Sequence, residues 1–405
     1  MEPSMSLSAP RIPGRRLLHS PGPTPLPDAV LAALMLQPMD LADPRVMALI
    51  GDCEQGLKAL VDAPADAELL FFIGNGHAAW EAVVANLLGP GRAALVPGGG
   101  TFSNGWAEMA AGLGAEVIGT PHAEGQPIDS AAVEQALRDD RDHRIAAVLA
   151  VHTDTAGGIT SDMAAIRRAL DAAGHPALLV IDAVASLAAE PLSMRALGAD
   201  VVLGASQKGL MVPPGLAFMA VGQAALASAR DNPVPRWYWD WQRRVAPHSY
   251  GKFCGTPPLP LLAGVRASLG LIAQETLPAV LARHRRLAGA VHAAVTHWAA
   301  GGGVGLHCRV PSARSVAVTA MDLAPGHDGE ALRTVARERF QVAMAGGLAT
   351  LAGRVVRIGH LGDQNEAGIL GALAGIEGAL GVQGIPHARG GVEAAIAALS
   401  AAPMH

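Results

Sequence analysis

The chain is short of the groups that usually advertise a function. Aromatic residues make up 3% and charged residues 16% of its 405 positions. Only three cysteines occur, Cys53, Cys254 and Cys308. They lie far apart with no Cys-x-x-Cys pair, which excludes a disulfide scaffold and a cysteine zinc site. Such free thiols fit a reducing, cytoplasmic compartment. The fifteen histidines form no His-x-x-x-His or His-Glu-x-x-His pair on a helix, so no metal centre is expected. An excess of basic charge is missing too. Thirty basic against 35 acidic residues leave a net charge of −5, which argues against a nucleic-acid partner. Long apolar runs are also lacking. Crossing a bilayer takes about 20 nearly uninterrupted apolar residues, and the best stretch, Ala177 to Leu187, is broken by Asp182. No membrane partner is expected, despite a mean hydropathy of +0.29. The arginines of residues 1–16 precede no apolar segment, so a secretory signal is not expected either.

What is present is an apolar, foldable chain. Half of the residues are hydrophobic, which excludes disorder and supplies a substantial core. At roughly 150 residues per domain the length allows two or three domains. From about residue 69, short apolar runs alternate with helical patterns. Strands are predicted at 69–73, 93–96, 145–151, 178–181, 201–203 and 216–221, and helices at 77–88, 104–113 and 161–173, the last capped by Ser161. This alternation implies βαβ units and a mostly parallel sheet between helices. Residues 231–258 hold both tyrosines and three tryptophans and end in a Pro/Gly-rich run. They read as an irregular crossing segment. Helical patterns from 259 to 299 lead into strands at 316–319 and 355–358 and helices at 330–340 and 369–380. The expected division is a tail at 1–15, a large α/β domain at 16–276 and a smaller α+β domain at 277–405.

Ligands of open α/β sheets sit beyond the carboxyl ends of the strands. Four such ends carry polar groups: Asn75-Gly76-His77, His152-Thr153-Asp154-Thr155, Asp182, and Ser206-Gln207-Lys208. Asp182 directly follows Leu-Leu-Val-Ile. It reads either as a helix cap or surface ion pair, or as a buried acid holding a cationic partner such as a protonated pyridine nitrogen. Lys208 follows an apolar strand and precedes an apolar, proline-bounded stretch. A lysine kept dry loses proton affinity and becomes a usable amine nucleophile. The two together, 26 residues apart at two strand ends, are the pair expected of a pyridoxal 5′-phosphate (PLP) site. Ser206 as a hydrolase nucleophile fails, because Gly-x-Ser-x-Gly would need glycine where Lys208 stands. Gly74-Asn75-Gly76 before a helix reads as a phosphate cradle or as an ordinary turn. Phe102, beyond Gly98-Gly99-Gly100, reads as a ring stacked on a planar ligand or as core. Arg357, between Val356 and Ile358, is an odd residue for packing alone, although an edge-strand arginine can snorkel.

The runs HTDTAGGITSD, LLVIDAVASL and GASQKGLMVPPGL within Val151–Gly215 resemble the class V (fold-type I) aminotransferases, notably the alanine-, serine- and aspartate–glyoxylate branch. The resemblance extends from Pro21-Gly22-Pro23-Thr24 to Arg357-Ile358-Gly359-His360-Leu361-Gly362. It implies that Lys208 forms the Schiff base with PLP and shuttles the proton, and that Asp182 partners the pyridinium. It places Asn75, Gly76, His77 and Gln207 around phosphate and ring, Phe102 against the ring, and Thr155 on the phenolic oxygen. Thr256 would reach the phosphate of the neighbouring subunit in a homodimer with shared sites. Arg357 and Gly22 would bind the substrate, Arg357 taking its carboxylate. The implied reaction is ping-pong transfer of an amino group from a small amino acid to a 2-oxo acid such as glyoxylate or pyruvate. Another PLP reaction on the same scaffold, or a non-catalytic PLP-fold binder, stays open. Three departures stand out. The branch commonly has His-Arg-Ser-Pro where this chain has Leu41-Ala42-Asp43-Pro44, Ser/Thr-Gly in place of Asn75-Gly76, and a tyrosine near Thr256 where Phe253-Cys254-Gly255 stands. They leave Lys208, Asp182 and Arg357 in place and point to a donor larger or less polar than serine or aspartate.

Overall fold

The computed structural model describes residues 14–401, so most of the expected N-terminal tail lies outside the described residues. Seven strands form the central sheet, in the spatial order Glu68–Gly74, Gly215–Val221, Val201–Ala205, Leu178–Asp182, Ile145–Val151, Ala93–Val96, Glu116–Gly119. Gly215–Val221 runs antiparallel to both of its neighbours, and the remaining pairs are parallel. The interior strands are almost wholly apolar and buried, the pattern of a sheet covered on both faces. Alternate residues divide between two cores. Phe71, Val148, Leu179, Ile181 and Phe218 pack on one side, and Phe72, Leu149, Val180, Leu203 and Met219 on the other. This is the period-2 consequence of the pleat. The mostly parallel sheet between helices that the sequence implied is what is found.

A second sheet has the order Leu17–His19, Val342–Gly346, Val355–Gly359, Val318–Leu323, Val304–Leu306. It packs with Leu277–Ala299 and Glu366–Val382 around a separate core. Its first strand comes from the start of the chain, pairing Leu17, Leu18 and His19 with Val342, Ala343 and Met344. Residues 17–19 are thus paired into the smaller sheet. A three-residue strand carries too little periodicity to reveal its partner.

Other local readings need revision. The helix expected from Ser161 is Met163–Ala173, and its cap is Asp162, whose carboxylate accepts from Ala165 N–H. Ser161 instead accepts from Ile128 N–H across a loop. The helix expected from Asn104 begins at Thr101, immediately after the glycines. The 231–258 segment holds two short helices, Trp241–Arg244 and Ser249–Phe253. It is organised around Arg244, whose buried guanidinium donates to the carbonyls of Phe71, Tyr238 and Lys252 and lies over the Phe72 and Tyr238 rings. Among the described residues no helix is long and apolar enough to cross a membrane, and no cluster of three metal-ligating side chains occurs.

Candidate active site

The carboxyl ends of the large sheet open into a cavity of about 200 Å³ lined by Asn75, Gly76, His77, Trp80, Phe102, Thr155, Asp182, Gln207 and Lys208 among others. Eight of the residues singled out from the sequence thus converge, although they come from five separate stretches of chain. Asp182 is the last residue of its strand. Its Oδ1 accepts from Val184 N–H and its Oδ2 from the Trp80 indole, both at 2.7 Å. Burial raises its pKa to about 6, against these two hydrogen bonds and the Lys208 charge. Burial likewise lowers Lys208 to about 8. The positive charge of Arg357 pushes in the same direction, and Asp182 opposes both. The site thus holds an amine able to give up its proton near neutral pH beside an acid within the same range.

The N-terminal segment closes over this lysine. Lys208 Nζ donates to Pro21 O at 2.9 Å, and Thr24 Oγ1 donates to Lys208 O at 3.1 Å. Gly22 has φ +136°, and a Cβ there would stand 2.4 Å from Lys208 Cδ, so only glycine fits. Arg357, on the smaller sheet, lies outside the cavity lining but close enough to influence Lys208. Its Nε donates to Gly346 O at 2.6 Å and its Nη1 to Thr155 O at 3.2 Å. Two nitrogens are pinned, and Nη2 has no acceptor among the described residues. This leaves one face of a fixed guanidinium for an anion.

The opposite wall is the N-terminus of Gly76–Leu87. Asn75 caps it, its side chain accepting from His77 N–H at 3.0 Å. The first-turn N–H of Gly76, a residue of the cavity lining, has no intrahelical acceptor, which makes this helix start a ready anion site. Gly76 is tight against Val184, whose Cγ2 would be 3.0 Å from a Cβ. Gln207 contributes a buried amide oxygen with no partner among the described residues.

A profile of the Aminotransferase class-V family matches residues 16–361. The chain belongs to this family. It is similar to serine–glyoxylate aminotransferase of Methylorubrum extorquens, at 37% identity over 98% of this chain and 99% of that one. It is also similar to L-aspartate–glyoxylate aminotransferase of Paracoccus denitrificans, at 36% identity over 93% and 94%. Among solved structures, ureidoglycine–glyoxylate aminotransferase of Bacillus subtilis superposes with a TM-score of 0.85 at 25% identity, over 97% of this chain and 99% of that one.

Within this class-V aminotransferase the three departures have local explanations. Asp43 caps Pro44–Leu60, accepting from Arg45 N–H, and Leu41–Pro44 does not line the cavity described. Asn75 performs the capping that serine or threonine would, since all three accept from the first-turn N–H groups. Phe253 is buried and stacked on Phe71, with centroids 5.4 Å apart, so a hydroxyl there would meet core. Thr256 is exposed and lies outside the cavity of its own chain.

Two residues of the aminotransferase site escaped the sequence reading. Trp80 falls within the helix predicted at 77–88 and is given no site role there, yet it lines the cavity and bonds Asp182. Its signal was its place four residues after Gly76, on the same helix side. Asp154 was noted at a strand end without a role. Its carboxylate accepts from Phe102 N–H at 3.1 Å, Ala156 N–H at 2.7 Å and Gly157 N–H at 3.2 Å, fixing Phe102 relative to the Thr155 loop.

Proposed function

We propose that this aminotransferase uses PLP bound at the Lys208–Asp182 cavity to move an amino group from a small amino acid to a 2-oxo acid such as glyoxylate or pyruvate. The observation that carries the reading is the convergence of a primary amine lowered to about 8 and a buried carboxyl raised to about 6 on one cavity. The free N–H of Gly76 and the aromatic wall of Phe102 and Trp80 fit a planar, phosphorylated ring. Asn75, Gly76, His77 and Gln207 would hold phosphate and ring, Thr155 the phenolic oxygen, and Asp182 the ring nitrogen. When bound, the cofactor supplies an electron sink that acidifies the substrate α-carbon. Lys208 Nζ takes that α-proton and returns it as a general acid. The Arg357 guanidinium pairs with the substrate carboxylate and orients the α-carbon toward Nζ. The Pro21–Thr24 segment keeps bulk water from the amine.

The glyoxylate acceptor is supported by the names of the relatives. The homodimer, the cytoplasmic location and the division near residue 276 belong to the same reading. The dimer is supported by the exposed position of Thr256, which serves no site in its own chain.

The test is the near-visible spectrum of the purified protein with single amino acids and no oxo acid. A yellow band that bleaches with one donor establishes half-transamination and names that donor. Brisk reaction with serine or aspartate would refute the larger or less polar donor read from the sequence. Ammonia release in place of a new amino acid would favour β-elimination. Lys208→Ala should lower turnover by about a thousand-fold or more, the scale of a lost proton-transfer group, while the protein still folds. Wild-type turnover in that variant would refute the assignment.

A further inference from the structure

We propose that Trp80 is a positioning residue for Asp182: its indole N–H fixes the carboxylate that meets the ring nitrogen and keeps it ionised. The inference rests on the PLP reading above.

Asp182 is 5% exposed, and its two oxygens each receive one N–H. The Val184 N–H belongs to the backbone two residues on and turns with the aspartate itself. Trp80 is therefore the external reference that sets the carboxylate plane. Its ring is itself held, stacked on Trp106 with centroids 5.3 Å apart and planes 9° from parallel, and edge-on to Phe102 at 6.3 Å. The contrast with its neighbour is informative. Trp106 is also buried, but among the described residues its indole N–H has no partner, as is also true of Trp241. Those two rings pack, whereas Trp80 packs and donates.

Location adds a second reason. Trp80 lies one helical turn after Gly76 on the same helix, Gly76–Leu87. A rigid helix thus carries the proposed phosphate cradle at its first residue and the donor to Asp182 at its fifth. The two ends of the cofactor site are set by one element, and a shift of the helix would displace both together. A hydrogen bond to an ionised acceptor is shorter and stronger than a neutral one, and the 2.7 Å separation is of that kind. Without the donor, the charged form of a buried carboxylate loses one of its two compensating contacts.

The experiment uses the holoenzyme of the wild type, Trp80→Phe, Asp182→Asn and the double variant. Phenylalanine keeps an aromatic ring against Trp106 and removes the N–H. The readouts are the rate of PLP loss on dilution and its pH dependence. In Trp80→Phe, loss should quicken by about 10- to 100-fold, the scale of one hydrogen bond to a charged group. The acid limb of retention should move to higher pH. In the Asp182→Asn background the same change should add little, because the partner it acts through is already neutral. A purely structural tryptophan would instead add its full effect in both backgrounds and leave the acid limb in place. That outcome, or wild-type retention in Trp80→Phe, overturns the proposal. A wild-type protein that takes up no PLP would sink the cofactor reading first, and so is distinguishable. If Trp80→Phe does not fold, the ¹⁵N-labelled indole of the wild type is compared with that of Asp182→Asn. A shifted Trp80 N–H resonance supports the proposal, and an unmoved one refutes it.

Discussion

At the scale of single residues, the site depends on two groups whose proton affinities have moved toward each other. Asp182 titrates at about 6 in the fold against 3.8 in the open chain, and burial is the main cause. An acid raised in this way stabilises the fold fully below its unfolded pKa. That contribution is lost as pH climbs to the folded value, because the unfolded chain gives up its proton first. In the cofactor-free protein, the stability advantage of wild type over Asp182→Asn should therefore shrink as pH rises from 4 to 7. The shift corresponds to about 2–3 kcal/mol. Denaturant unfolding at the two pH values measures it, and a difference that stays constant would mean that Asp182 titrates like an exposed acid. Lys208 was legible for the same physical reason. A lysine among apolar neighbours has few bland explanations, whereas a tryptophan on an apolar helix face has one that satisfies, so Trp80 stayed hidden until the direction of its N–H was visible.

At the scale of elements, the helix Thr101–Gly112 shows how a site residue is fixed from a distance. Gly100 precedes it and offers no side-chain cap. Asp154, from the far end of another strand, supplies the cap by accepting from Phe102 N–H. Gly100 must be glycine, since a Cβ would stand 2.1 Å from the Asp154 carboxylate at φ +119°. The orientation of Phe102 toward the cavity is thus set by a residue 52 positions later. Asp154→Ala strips three backbone N–H groups of their acceptor. It should lower unfolding stability by about 2–4 kcal/mol, a lost cap plus unpaired buried donors. Asp154→Asn, which keeps one acceptor oxygen, should recover part of that. Equal stability of all three proteins in urea would remove this role. The central strands and most helices could be read from periodicity, because burial on both sheet faces writes continuous apolar runs into the sequence. A cap supplied across the sheet leaves no such pattern, since its two halves share no local spacing.

At the scale of the whole molecule, the two sheets meet at the site through residues distant in sequence. The opening segment pairs with Val342–Gly346 at one end and bonds Lys208 at the other, so the start of the chain ties the two units together. Arg357 reaches the same point from the smaller sheet through Thr155 O. Within one chain this accounts for every proposed site residue except Thr256, which is exposed and does not line the Lys208 cavity. A partner subunit is the arrangement that gives Thr256 a use, and the sequence resemblance had already placed it there. If sites are shared, two defects on different sides of one site should complement. Lys208→Ala homodimers lack the amine in both sites, and Thr256→Glu homodimers set an acid against the phosphate in both. In a mixed dimer one site collects both defects, and the other keeps the intact Lys208 of one subunit and the intact Thr256 of its partner. Random reassociation of equal amounts makes half of the dimers mixed, so about a quarter of wild-type turnover should return, given a symmetric two-fold assembly. Activity no greater than the sum of the separate variants would mean that each chain completes its own site, and the exposed Thr256 would then need a different explanation.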